Sequence, residues 1–162
     1  MRCSSCGTPL DRHITDVGFR LPDVVWAIPG AERDRRVRGT GDHLSLDTER
    51  HFIRGVAYIP LIGERRARFG WGLWAEVDAH AYRRYLQLLR VDASDEPPVG
   101  SVLANTPVGY EPLGAQAAML HLSTAAQRPA LQLLPSEHLL YREQRDGMDG
   151  ERLHFVVGLQ SG

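Results

Sequence analysis

The chain has 162 residues, with 20 acidic and 19 basic side chains and a formal net charge of -1. This near-zero charge argues against nucleic acid as the main partner, because phosphate-binding domains usually carry a basic excess. No apolar run approaches the roughly 18–20 residues of a membrane span, and the N-terminus lacks the apolar core of a signal peptide. We therefore expect a cytoplasmic protein without a membrane partner, folded as a single domain over residues 1–162.

Lysine does not occur in the sequence, so all 19 basic residues are arginine. Schiff-base enzymes, pyridoxal enzymes and Walker-type nucleotide-binding loops all need a lysine amine. The composition therefore excludes these reaction classes.

The N-terminal segment carries the two cysteines, Cys3 and Cys6, in a C-x-x-C-G pattern that is typical of a zinc knuckle. Two thiolates at this spacing can bind one ion, and tetrahedral zinc needs two more ligands. His13 is the nearest candidate, and His43, His138 or the cysteines of a second chain are the alternatives. Without zinc, the pair would be two reduced thiols, as expected in the cytosol.

The middle of the chain alternates apolar and polar residues in the manner of strands joined by short polar turns. This pattern predicts an antiparallel meander. The predicted strands are 43–47, 51–61 and 67–77, followed by shorter ones near 101–105, 116–123 and 130–134.

Helices are predicted around this sheet from capping residues and helical spacing. Asp78 is the predicted N-cap of a helix that runs to Arg90, Ser136 that of a helix to about Asp146, and Asp149 that of a last helix. A short exposed helix is also predicted after Pro29. The predicted fold is α+β, a mainly antiparallel meander packed by about three helices, with a cysteine-bearing N-terminal arm over residues 1–13.

The segment Gly70-Trp-Gly-Leu-Trp-Ala fits the relaxed dinucleotide fingerprint G-x-G-x-x-A. That fingerprint functions at a strand-to-helix turn, whereas this segment lies in the middle of a predicted strand. We therefore interpret Gly70 and Gly72 as making room for a tryptophan or marking a bulge. Trp74, on the face opposite the apolar row, is a candidate pocket residue.

His138 is the histidine most suited to chemistry, because it is predicted in the first turn of a capped helix. A helix N-terminus lowers the pKa of a histidine and leaves a neutral imidazole, which can bind a metal or accept a proton. His138 is thus a candidate base or ligand.

Several short segments, in this order and spacing, are typical of one bacterial family: Cys3-Ser-Ser-Cys-Gly, Asp42 to Asp47, Phe52-Ile-Arg-Gly, Phe69-Gly-Trp-Gly-Leu-Trp, Gln127-Arg-Pro, Glu137-His-Leu-Leu and Glu143-Gln-Arg-Asp-Gly-Met. Through them the chain resembles the domain-of-unknown-function family 2199, a group of uncharacterised bacterial proteins. The resemblance implies a common fold and supplies no activity. The family positions that it marks are Arg54, Trp71, Trp74, Arg128, His138 and Gln144.

The chain departs from the family pattern at two places that bear on zinc. Family members tend to place a histidine soon after the cysteine-glycine, whereas residues 8–12 intervene here before His13. Many members also carry a cysteine where this chain has Leu44.

We expect a small binding or regulatory module with a polar cleft near Arg54, Arg128 and His138. The cleft would bind a small anionic ligand or an acidic group of a protein partner, since the donors of arginine suit carboxylate and phosphate. Trp74 and Gln144 complete the expected ligand-binding residues.

Three alternatives stay open. The arginines would instead form structural ion pairs with Glu76, Glu137 or Glu143. An enzyme, most plausibly a hydrolase, would use His138 as the base and Glu143 or Glu76 as the acid. The tryptophan-rich strand would otherwise be a self-association edge and make the protein a homodimer.

Overall fold

The computed structural model describes residue 7 and residues 16–63 and 67–160. Its helices are α1 (Asp23–Trp26), α2 (Gly30–Arg36), α3 (Ala79–Gln87), α4 (Leu139–Asp146) and α5 (Gly150–Gln160). Its strands are β1 (Asp16–Gly18), β2 (Val37–Gly39), β3 (His43–Leu46), β4 (Arg50–Pro60), β5 (Arg68–Val77), β6 (Val99–Leu103), β7 (Ala117–His121) and β8 (Ala130–Leu133).

Strands β4 to β8 form a closed five-stranded barrel. Neighbouring strands from β4 to β8 pair antiparallel, and β8 returns to pair with β4 in parallel through Val56 and Ala130. The amide of Val56 donates to the carbonyl of Pro129 at 2.8 Å and supports this seam. Strands β3 and β2 extend the sheet from β4, and β1 pairs in parallel with β5.

The inside of the barrel is filled by apolar side chains from alternate positions of its strands. On β5, Phe69, Trp71 and Leu73 are at most 1% exposed. Their partners on β4 are Ile59, Ala57 and Gly55, in that order. The predicted apolar row on β5 is therefore the inner face. Removing each large side chain of this kind from water stabilises the fold by about 1.5–3 kcal/mol.

The outer face of β5 contains the two glycines of the fingerprint-like segment. A Cβ at Gly70 would lie 2.8 Å from Val56 Cγ1, and one at Gly72 would lie 2.9 Å from the Cα of Gly18. These glycines thus make room for the neighbouring strands β4 and β1. The prediction that they make room for a tryptophan or mark a bulge is wrong, since their nearest neighbours include no tryptophan and the pairing of β5 with β4 runs through both positions without a break.

A second, smaller core lies outside the barrel. It contains Trp74, Phe52, Leu44, Leu46 and Val25 of α1. The indole nitrogen of Trp74 donates to the carbonyl of Phe19 at 3.0 Å. The polar atom of this fully buried ring therefore has a hydrogen-bond partner.

Of two predicted helix N-caps, one is observed and the other is not. Asp78 caps α3, accepting a hydrogen bond from the amide of Ala81 at 2.7 Å. The predicted cap at Ser136 is wrong, since His138 is the N-cap of α4 and accepts from the amide of Leu140. His138 therefore precedes the helix instead of lying in its first turn.

The α+β class is confirmed, with five helices among the described residues where about three were predicted. The meander prediction did not include the closure into a barrel or the two parallel pairings. The predicted arm, residues 1–13, lies almost entirely outside the described residues. No helix in the described part of the chain has the length and apolarity that crossing a membrane requires.

Candidate functional site

A groove of about 660 Å³ lies at the surface where three segments meet. One wall comes from the turn into β3, with Thr40, Asp42 and His43, and another from α3 and the residues after it. The segment 122–129, which leads into β8, forms the third side. The volume lies within the roughly 300–1,000 Å³ that is usual for small-molecule sites.

The α3 side of the groove is largely apolar. Leu88, Leu89 and Ala93 line it, and Leu122 lines the opposite segment. The amide of Ala93 donates to the carbonyl of Ser123 at 3.1 Å and ties these two sides together. An apolar group in the groove would therefore be removed from water.

The opposite side is polar and contains the predicted Arg128. Its Nε donates to Asp42 Oδ1 at 2.9 Å, and both side chains are about half exposed. Within the described residues, no group hydrogen-bonds to the two terminal nitrogens of Arg128.

Arg54, the second predicted arginine, lies beside this ion pair on the outer face of β4. Burial lowers the pKa of its guanidinium, the nearby charge of Arg128 lowers it further, and Asp42 and Asp16 act in the opposite direction. Its Nη1 donates to the carbonyl of Gly41 at 3.4 Å. Its Nε is buried and has no hydrogen-bond partner among the residues that the structure describes.

An imidazole and a phenol complete the lining next to Asp42. His43 Nδ1 is hydrogen-bonded to the hydroxyl of Tyr82 at 3.0 Å, and the ring packs edge-on against Tyr85. Burial lowers the pKa of His43, partly offset by Asp42, so the imidazole is neutral at pH 7. Burial raises the pKa of Tyr85, and Asp42 raises it further.

His138 does not line this groove, and its ring is fully hydrogen-bonded elsewhere. Nδ1 accepts from the amide of Leu140 at 3.0 Å, and therefore Nε2 carries the proton and donates to the carbonyl of Glu111 at 2.8 Å. The imidazole also stacks on the ring of Tyr110. These contacts are those of a structural cap.

Glu143, the other candidate catalytic residue, is buried in an ion pair between α4 and α5. Its Oε1 accepts from Arg152 Nε at 2.6 Å, and its Oε2 accepts from the hydroxyl of Tyr110. Burial raises the pKa of Tyr110, and the hydrogen bond to Glu143 raises it further, so the phenol stays protonated. Both carboxylate oxygens are thus occupied by structural partners.

The two remaining expected ligand-binding residues also have structural contacts. Gln144 Oε1 accepts from the amide of Leu133 at 2.7 Å, and its Nε2 donates to the carbonyl of Leu131 at 2.8 Å. Trp74 is fully buried in the second core. Neither residue lines the groove.

The ion-pair partners of the arginines differ from those considered in the sequence. Arg128 pairs with Asp42, whereas Glu76 binds Arg50 and Glu143 binds Arg152. Asp42 and Tyr85 of the groove were missed as site residues, and His43 was considered only as an alternative zinc ligand. Asp42 was visible only as the start of a family-like segment, and no local pattern joined it to Arg128.

The proposed zinc ligands Cys3, Cys6 and His13 lie outside the described residues. Within the described ranges, no three His, Cys, Asp or Glu side chains are grouped as a metal site would require. The tryptophan-rich β5 is an interior strand, paired with β4, β6 and β1, and its tryptophans are fully buried. It therefore presents no edge for self-association.

Fold and site define an α+β protein with a small closed barrel and a surface groove that combines an arginine–aspartate pair with an apolar wall. The chain belongs to the family described as "Uncharacterized protein conserved in bacteria (DUF2199)", whose model matches residues 2–148. No curated protein and no solved structure matches the chain.

Proposed function

We propose that this protein is a binding module for a small ligand that carries an anionic group, and that the ligand lies in the groove with this group on Arg128. The observation that carries the proposal is the position of Arg128. Its Nε is held by Asp42, and the residue lines a groove of ligand size. Such a guanidinium is already oriented, so little side-chain entropy is lost when an anion binds.

Arg54 supports this role through its charge. Arg54 lies close enough to Arg128 for the two charges to interact, and the carboxylates of Asp42 and Asp16 lie near it as well. An anion on Arg128 would therefore also interact with the second guanidinium group. The charge of Arg54 is half-buried, and a partly desolvated charge interacts more strongly with a ligand than one in bulk water.

Binding is favoured over hydrolysis by the contacts of the candidate catalytic groups. His138 and Glu143 are engaged in the packing of α4, and neither reaches the groove. A hydrolase would need a base and an acid together at the ligand. Of the residues that the structure describes, those lining the groove include one imidazole, His43, and no carboxylate besides Asp42, which pairs with Arg128.

The test is a titration of ¹⁵N-labelled protein with acetate, 4-methylpentanoate and leucine, followed by amide chemical shifts. We expect saturable shifts at residues 40–43, 88–93 and 122–129 with at least one of these carboxylates. R128Q should weaken that binding about tenfold or more, because the ligand loses a charge-assisted hydrogen bond.

R145Q is the matched control, because Arg145 is also an exposed arginine paired with an aspartate, Asp146. It should bind as the unmodified protein does. If no carboxylate gives saturable shifts in the groove, or if R128Q and R145Q bind equally well, the proposed function is wrong.

A further inference from the structure

The ion pair at the groove has an unused acceptor as well as unused donors. Asp42 Oδ1 accepts from Arg128 Nε, and no described residue donates a hydrogen bond to Asp42 Oδ2. The terminal nitrogens of Arg128 are equally without a described partner. Each member of the ion pair thus has polar atoms without a hydrogen-bond partner among the described residues.

This arrangement is complementary to an α-amino acid. In that ligand class a carboxylate and an ammonium group are attached to one carbon atom, so the two charges are as close together as those of the ion pair. The carboxylate would accept from the terminal nitrogens of Arg128, and the ammonium would donate to Asp42. The existing Nε–Oδ1 hydrogen bond would not have to break.

Charge balance separates this class from phosphate. A phosphate dianion bound on Arg128 would place two negative charges next to Asp42, where Arg54 adds one positive charge and Asp16 a further negative one. A zwitterion adds no net charge, and each of its ends meets an opposite charge. The carboxylate of Asp42 would thus attract the ammonium and repel a purely anionic ligand.

The apolar wall indicates the side chain of the ligand. Leu88 and Leu89 line the groove from the α3 side, and Leu122 lines it from the opposite side. An aliphatic group between them would bury its own surface and theirs, which a polar side chain would not do.

We propose, on the basis of the function proposed above, that the ligand is a small α-amino acid with an apolar side chain. Arg128 binds its carboxylate, Asp42 binds its ammonium group, and the leucine wall accommodates its side chain.

Leucine and 4-methylpentanoate test this assignment, because they differ only in the ammonium group. Calorimetric titration of the full chain should give about tenfold or more tighter binding for leucine. In D42N this preference should disappear through weaker binding of leucine, while 4-methylpentanoate binds as well as before or better. D146N, which changes an aspartate of the exposed pair with Arg145, should keep the preference.

The outcomes separate the two proposals. If 4-methylpentanoate binds through Arg128 as tightly as leucine, the amino-acid assignment is wrong and the anion-binding function stands. If D42N leaves the preference for leucine unchanged, the role of Asp42 is wrong. If neither compound binds the groove, the amino-acid assignment is wrong, and if acetate does not bind there either, the proposed function fails with it.

Discussion

The guanidinium of Arg54 occupies the space that a side chain on Gly18 would need. A Cβ atom at Gly18 would lie 2.4 Å from Arg54 Nη2, and one at Gly72 would lie 3.8 Å from the same nitrogen. The two glycines face each other across the parallel pair of β1 and β5. The guanidinium of Arg54 therefore lies over a part of the sheet where β1 and β5 both have a glycine and no side chain.

Replacing these two glycines by alanine should have unequal effects on stability. G72A brings its new methyl group to 2.9 Å from the backbone Cα of Gly18, so β1 must shift, and we expect a loss of about 1–3 kcal/mol. G18A meets only the end of a flexible arginine, which can move away at lower cost. Urea unfolding of both variants measures the difference.

G100A is the control, because a Cβ on this strand glycine would meet no atom within 4 Å. It should change the free energy of unfolding by about 0.5 kcal/mol or less. In an R54A background the remaining cost of G18A should vanish, since the clashing group is gone. An undiminished cost there would show that Gly18 is constrained by something other than Arg54.

The groove histidine should make stability depend on pH. Burial lowers the folded-state pKa of His43 below its ordinary value, which means that the unfolded chain takes up a proton more readily. The contribution of His43 is therefore complete above about pH 6.5 and is lost as the pH falls toward its folded-state pKa. Urea unfolding at pH 7.5, 6.5 and 5.5 should show this decline.

H43Q should reduce the decline between pH 6.5 and 5.5. H80Q, at an exposed position on α3, is the matched control. An NMR titration of the His43 ring protons gives the folded-state pKa directly. An imidazole of His43 that titrates at or above its ordinary pKa would contradict the prediction.

The strands around β4 and β5 could be predicted because their signals are local. Alternation and short polar turns indicated strands at 43–47, 51–61 and 67–77, and the structure has β3, β4 and β5 there. The closure of the barrel has no such signal. It depends on one parallel residue pair, Val56 of β4 and Ala130 of β8. Three other strands lie between β4 and β8 in the sequence.

The residues of the candidate site were likewise predictable only where a sequence pattern indicated them. The family resemblance marked Arg54 and Arg128, and the chemistry of arginine suggested an anionic ligand for them. Their common neighbour Asp42 is 86 residues from Arg128, so no local pattern indicated it. His138 had a helix-terminal pattern that suits catalysis. Its ring is instead satisfied by Leu140 and by the carbonyl of Glu111, 27 residues away, which no local pattern indicated.

The N-terminal cysteine pair gives a prediction that metal analysis can test. We propose that Cys3 and Cys6 bind one zinc ion, with His13 as the nearest further ligand, and expect about one zinc per chain in purified protein. C6S should lose the metal, because a serine hydroxyl does not replace a thiolate ligand. Metal-free protein in which both thiols react freely would contradict the proposal.

The buried ion pair between α4 and α5 should contribute to stability. The side chain of Glu143 is 7% exposed and pairs with Arg152, whereas Arg145 and Asp146 are more than half exposed. E143Q removes one charge of the buried pair and leaves the other uncompensated, which costs about 3–5 kcal/mol. R145Q should cost at most about 1 kcal/mol. Thermal unfolding that does not distinguish the two variants would contradict this ranking.

Gln144 should hold the seam of the barrel closed. It bonds the backbone of β8 through Leu133 and Leu131, and its Nε2 also lies 3.4 Å from the carbonyl of Tyr58 on β4. These strands share only one residue pair, so the side chain supplies much of their connection. Q144A should therefore cost about 1–3 kcal/mol by leaving backbone groups unsatisfied.

Hydrogen exchange locates that effect within the barrel. In Q144A the amide of Leu133 should exchange faster than in the unmodified protein, because it loses its acceptor. Amides in the long antiparallel pairing of β4 with β5 should keep their protection relative to global unfolding. Q87A, at an exposed glutamine of α3, is the control and should change neither stability nor exchange. Equal loss of protection in both regions would mean that Gln144 stabilises the whole domain uniformly and not the seam.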